Sequence, residues 1–124
     1  MADGLSTTVA NAALNNIVGT NANNIQMHTG APGPAGTSNV SSVTTRPAVT
    51  WASASAGSVA ANGTSPEWTS WAGTNGEADT DISFWSAPSS GTFGLSMQLN
   101  SPVTMDTGDS LTLTSISITL PTAS

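Results

Sequence analysis

The sequence predicts a mainly β fold: a compact antiparallel β-sandwich or jelly-roll-like single domain over residues 1–124, with one short N-terminal helix. Three observations lead there. After Gly19, short runs of β-branched and aromatic residues are broken by Gly, Pro, Asn and Ser at the spacing of strands and turns in a sandwich or barrel. Several of those runs alternate apolar with polar residues, the period of a half-buried strand. Helical periodicity is confined to the first segment, where Leu5, Val9, Ala13, Leu14, Ile17 and Val18 recur at helix-like spacing.

Taken in order, the first element is a helix over 5–18, with Asp3, Ser6 or Thr7 as N-cap and Gly19 as its stop. It is expected to cover one end of the core, and Leu5 and Val9 are its candidates for contact with a neighbouring subunit. Candidate strands follow at Asn24–His28, Ala48–Ser53, Gly57–Ala61, Glu67–Ala72, Asp81–Ser86, Thr92–Leu99, Val103–Met105 and Leu111–Leu120. In the last run Leu111 and Leu113 are out of phase with Ile116, Ile118 and Leu120, which predicts a bulge or bend near Thr114-Ser115. Residues 29–45 are too rich in Gly, Pro and Ser for a helix or central strand, so they form a long loop before a β core over 46–120. Loops of that kind often order against a neighbour in an assembly.

Charge is scarce. Arg46 is the only Lys or Arg in the chain, only 6% of residues are charged and the formal net charge is −6. Against roughly 25% charged residues in an ordinary soluble domain, this surface is built instead from hydroxyl and amide groups, which suits a subunit held in an assembly. A phosphate backbone would be repelled, so nucleic acid is not an expected partner. With no cysteine there is neither a disulfide nor a thiolate metal site. No apolar run approaches the length of a membrane span and the N-terminus lacks a secretory pattern, so membrane attachment is not expected and synthesis in the cytoplasm is.

Catalytic chemistry has little to work with. A Ser-His-Asp triad would need the lone histidine, His28, which sits at a strand end where bonding the adjacent loop is the simpler role. No Gly-x-Ser-x-Gly elbow is present, and neither a catalytic set nor a cofactor is assigned. Glu77, Asp79 and Asp81 alternate and would project to one side of a strand; they could offer oxygen ligands to calcium, but read more simply as a solvated strand end, so no metal site is assigned. Among the tryptophans, Trp51 and Trp85 fall in alternating strands beside Val49 and Phe84 and are expected in the core. Trp68 and Trp71, three apart, would lie on opposite faces of an extended strand, leaving one available to a partner or a sugar ring. Arg46 is expected to pair with a carboxylate, either Asp79 or Asp81 or one on a neighbouring subunit, and with Trp68 and Trp71 it completes the partner-contact candidates.

Several residue runs carry a resemblance that extends almost end to end. These are Leu5-Ser-Thr-Thr-Val-Ala-Asn-Ala-Ala-Leu-Asn, His28-Thr-Gly-Ala-Pro-Gly-Pro-Ala-Gly-Thr-Ser, Val43-Thr-Thr-Arg-Pro-Ala-Val-Thr-Trp51, Ile82-Ser-Phe-Trp-Ser-Ala, Ser90-Gly-Thr-Phe and Thr107-Gly-Asp-Ser-Leu-Thr-Leu. In these the chain resembles a family of small tailed-bacteriophage virion proteins, common in phages of actinobacteria and often labelled tail fibre or minor tail proteins. The resemblance implies a non-enzymatic component on the exterior of the particle, with other virion proteins as partners and a homo-oligomer, such as a trimer, as its form. Because a fibre shaft needs long repeats or a coiled coil and this chain has neither, capsid decoration is the first expectation, with tail attachment and a carbohydrate-binding module as alternatives.

Overall fold

The computed structural model describes residues 3–63 and 65–123. Helix α1, Thr7–Thr20, is followed by strands β1 Asn24–His28, β2 Thr50–Trp51, β3 Ser58–Asn62, β4 Glu67–Trp68, β5 Glu77–Trp85, β6 Phe93–Met105, β7 Leu111–Thr112 and β8 Ser117–Thr119. They form antiparallel sheets in the orders β1-β5-β6, β2-β3-β8 and β4-β7. The mainly β class and the single N-terminal helix are as the sequence predicts.

Ser6 caps α1 by accepting the Val9 N–H at 3.2 Å, and Ala10, Leu14 and Val18 supply its buried stripe at four-residue intervals. The helix passes through Gly19 and ends at Thr20, with Asn21 as C-cap, so the expected glycine stop is replaced by a stop two residues later. Two asparagines fasten α1 to the second sheet: Asn11 Oδ1 accepts the Gly57 N–H and Asn15 Oδ1 accepts the Ala54 N–H, each at 2.9 Å.

In the largest sheet, Ile25 opposes Phe84 and Met27 opposes Ile82, and these in turn oppose Leu95 and Met97 of β6. One face of the sheet is therefore apolar, and it packs with Leu14, Val59, Trp71 and Met105 in one core. Gln26, Ser83 and Ser96 occupy the alternate positions. Every residue of β1 is buried, because the chain returns along its other edge. Ser41 N–H donates to Met27 O at 3.1 Å, Ile25 N–H to Pro47 O at 3.1 Å and Val49 N–H to Asn23 O at 2.9 Å. Pro47 needs no donor there, since only its carbonyl faces β1. Within the 29–45 loop Ser41 ties the segment to β1, and Thr29 N–H donates to Asn39 O inside it at 2.8 Å.

Two expected strands, Thr92–Leu99 and Val103–Met105, are one. β6 runs through Asn100-Ser101-Pro102 as a bulge, with Asp79 opposite Val103 but Asp81 opposite Gln98. The predicted break near Thr114-Ser115 is present, dividing the last run into β7 and β8.

Candidate functional site

Arg46 lies on the return path beside β1, and its partners are neutral. Nε donates to Gln26 Oε1 at 2.9 Å, one terminal nitrogen donates to Ser90 O at 2.8 Å and Ala87 O at 3.3 Å, and the guanidinium carbon sits 4.0 Å from the Trp85 ring centroid. The expected pairing with Asp79 or Asp81 gives way to this stacked arrangement, which places a weakly hydrated planar cation on an aromatic face and fills its fork with carbonyls. Burial lowers the Arg46 pKa from its ordinary value.

Behind it runs a chain of buried polar groups. His28 Nδ1 faces Ser38 O at 2.9 Å, and a carbonyl can only accept, so Nδ1 carries the proton. Nε2 then accepts from the Ser83 hydroxyl at 2.7 Å, and Ser83 Oγ accepts the Trp85 indole N–H at 2.7 Å. His28 and Ser83 are both 0% exposed. The pair has the bond of a nucleophile and base, yet a carbonyl stands where a triad has its carboxylate, and both groups are sealed from solvent. Its visible work is to pin the loop to the sheet. Burial first, and the Arg46 charge last, lower the His28 pKa against the opposing hydrogen bonds from Ser38 and Asn39 and the charge of Asp81.

The acidic alternation separates once folded. Glu77 accepts the Ser41 hydroxyl at 2.6 Å and the Ser42 N–H at 2.9 Å, while Asp81 accepts the Thr80 hydroxyl at 2.6 Å. Asp79 is 0% exposed, and neither of its oxygens has a hydrogen-bond partner among the described residues. Burial first, and the adjacent Glu77 carboxylate second, push it up to about 8, so it is a neutral acid at pH 7. Burial would also raise Glu77, but the hydrogen bonds from Ser41 and Ser42 hold it below the usual range. Among the described residues no three His, Cys, Asp or Glu converge on a metal-sized point.

Three of the four tryptophans depart from the expected roles. Trp68 and Trp71 are 2% and 1% exposed, so neither offers a surface in this chain. Trp68 donates its indole N–H to Thr45 O at 2.9 Å. Trp85 is in the interior as expected, whereas Trp51 is only half-buried. Leu5 and Val9 are exposed, at 40% and 53%.

A feature absent from the sequence reading is the outer edge of β6. Its inner edge pairs with β5, and among the described residues no backbone group pairs with the outer one along Phe93–Leu99. Beside it a groove of about 440 Å³ opens between β6 and the β7–β8 segment, walled by Met97, Leu99, Val103, Leu111, Leu113 and Ile116. No residue lining it is ionisable. The signal available in the sequence was the uncharged run from Phe93 to Met105, which reads as a strand but carries no mark of its position in the sheet.

Buried polar groups that mostly bond within the chain and an unpaired, uncharged strand edge define a small β scaffold. A family model described as podophage GP4 fiber I protein gp80 matches residues 1–121, and the chain belongs to that family. It is a bacteriophage fibre structural protein and a component of the virion. Comparison with curated proteins finds no match.

Proposed function

We propose that the chain is a non-enzymatic building block of the fibre, placed on the exterior of the particle and joined to further copies of itself through the outer edge of β6 and its groove. The uncovered edge carries this reading. An edge strand on a free monomer is normally blunted by lysine, proline or a bulge. Pro102 and its bulge blunt the distal part of β6 and a second bulge at Gly94 interrupts its start, but Leu95–Leu99 between them has no such protection. The occupant most compatible with the groove is a second copy. Chains of net charge −6 repel one another except where carboxylates are absent, and this groove has none. A basic partner would find nothing there to pair with.

Head decoration, expected from the missing shaft repeats and from the surface composition, ranks second to this placement because the family is described as a fibre. Kinship with phages of actinobacteria rests on the residue runs set out above. A closed homo-oligomer, a trimer included, needs no coiled coil if strand edges supply the contact.

Light scattering on the purified chain tests the proposal. The native chain is expected above monomer mass, and the exposed-edge substitution Gln98→Lys is expected to return it to monomer with an unchanged circular dichroism spectrum. A native chain that stays monomeric at high concentration would contradict it.

A further inference from the structure

A second groove, of about 420 Å³, lies where α1 ends, and its lining includes Asn15, Val18, Gly19, Asn23, Thr50 and Trp51. Trp51 is the one tryptophan with substantial surface among the described residues. Its indole N–H is held by Ala22 O at 2.8 Å, and its ring packs on Phe84 with centroids 5.8 Å apart, so its orientation is fixed. Around it stand unused polar groups of both kinds. Among the described residues, Asn15 engages its oxygen on Ala54 and its amide NH₂ has no partner, while Asn23 engages its NH₂ on Ser86 O and its oxygen accepts no bond. The Val18 and Gly19 carbonyls, at the open end of α1, receive no protein donor among the described residues.

Gly19 adds an independent observation. It is within the helix, where alanine would be about 1 kcal/mol more favourable. It does not have a positive φ, and a Cβ built there would meet nothing within 4 Å. Neither backbone conformation nor packing asks for glycine.

We infer that this groove binds a neutral carbohydrate, with a sugar ring against Trp51. Sugar hydroxyls both donate and accept, matching the Asn15 amide on one side and the Asn23 oxygen and helix-end carbonyls on the other, while the C–H face of a ring suits an indole. No lining residue is ionisable, so an anionic ligand finds no cation and a cationic one no carboxylate. A wholly apolar ligand would leave the amides and carbonyls unpaired. The inference deepens the fibre reading, on which its use at a glycan-bearing surface rests, and moves the sugar platform from Trp68 and Trp71 to Trp51.

The test is a titration of the full-length chain with maltohexaose, cellohexaose and chitohexaose, followed by the amide and indole resonances. At least one sugar is expected to shift the Trp51 indole N–H together with the Gly19 and Asn23 amides. Gly19→Arg fills the groove with a good helix former near a helix C-terminus and should weaken binding roughly tenfold or more without unfolding. Asn15→Asp keeps the acceptor for Ala54 while removing the NH₂, and should weaken binding too. Absence of a Trp51 shift with all three sugars, or equal binding by native chain and Gly19→Arg, overturns the inference. Oligomer mass read on the same samples separates the two proposals: an unchanged mass with no sugar shift removes the sugar site alone, and sugar binding by a monomer removes the edge contact alone.

Discussion

Arg46 holds the chain's only guanidinium against Trp85, Gln26 and two carbonyls, so its shape matters more than its charge. Lysine keeps the charge but loses the planar fork, and Arg46→Lys is expected to cost about 1–3 kcal/mol in urea unfolding. A loss as small as that of an exposed charge would contradict the stacked role. The sequence shows Arg46 to be singular, but carboxylates are the obvious partners in an acidic chain, and within the chain neither Asp79 nor Asp81 bonds it. Sequence patterning gives no sign that carbonyls after β5 would converge there. Asp79 makes a second residue-level prediction. Its folded pKa of about 8 lies above the ordinary 3.8, so the folded state holds the proton more tightly than the unfolded one. Its stabilising contribution is therefore complete below about pH 3.8 and is lost as pH rises toward about 8. Asp79→Asn cannot ionise, and its stability relative to the native chain should rise steadily across that interval in thermal melts. A constant difference with pH would show that Asp79 is ionised throughout. For His28 the sign is opposite: a lowered pKa leaves stability intact above about pH 6.5 and removes it on acidification.

Among the elements, the 29–45 segment changes most between sequence and structure. Its composition rightly denied it a helix or a central strand. What composition could not show is that Met27 and His28 would leave an edge for it to meet, through Ser41 and Val40. Gly36 is the tightest point of this cover: its φ is 73°, and a Cβ there would run into the Phe93 ring. Gly36→Ala should cost about 1–3 kcal/mol and speed hydrogen exchange at Thr29 and Ser41, whose N–H groups close the segment on Asn39 and tie it to Met27. Unchanged exchange there would mean the cover is not anchored through Phe93. The placement of the tryptophans is also an element-scale matter. Opposite faces for Trp68 and Trp71 required an extended run through both, but β4 stops at Trp68 and Ser70 has a φ of 50°. The turn brings both rings inside. By contrast, the helix cap at Ser6 and the break between β7 and β8 were legible, because each depends on local residue choice.

At the scale of the whole molecule, the sparse charge and the uncovered β6 edge bear on one another. A surface with few carboxylates on a charge-free groove permits like chains to meet, and it offers little to nucleic acid or to a basic partner. The sequence made the fold class and the assembly-like composition readable. It left the contact surface hidden, since the same alternating strand can lie at the centre or the rim of a sheet, and only pairing decides. The sugar groove was hidden for a related reason: it joins the end of α1 to β2, which are distant in the chain. The most direct test is a density map of the intact phage particle into which this chain is fitted. The expected result is density in the fibre, with Phe93–Leu99 of one copy buried against another copy. Density on the head shell, or a fibre in which that edge faces solvent in every copy, would contradict the proposed role.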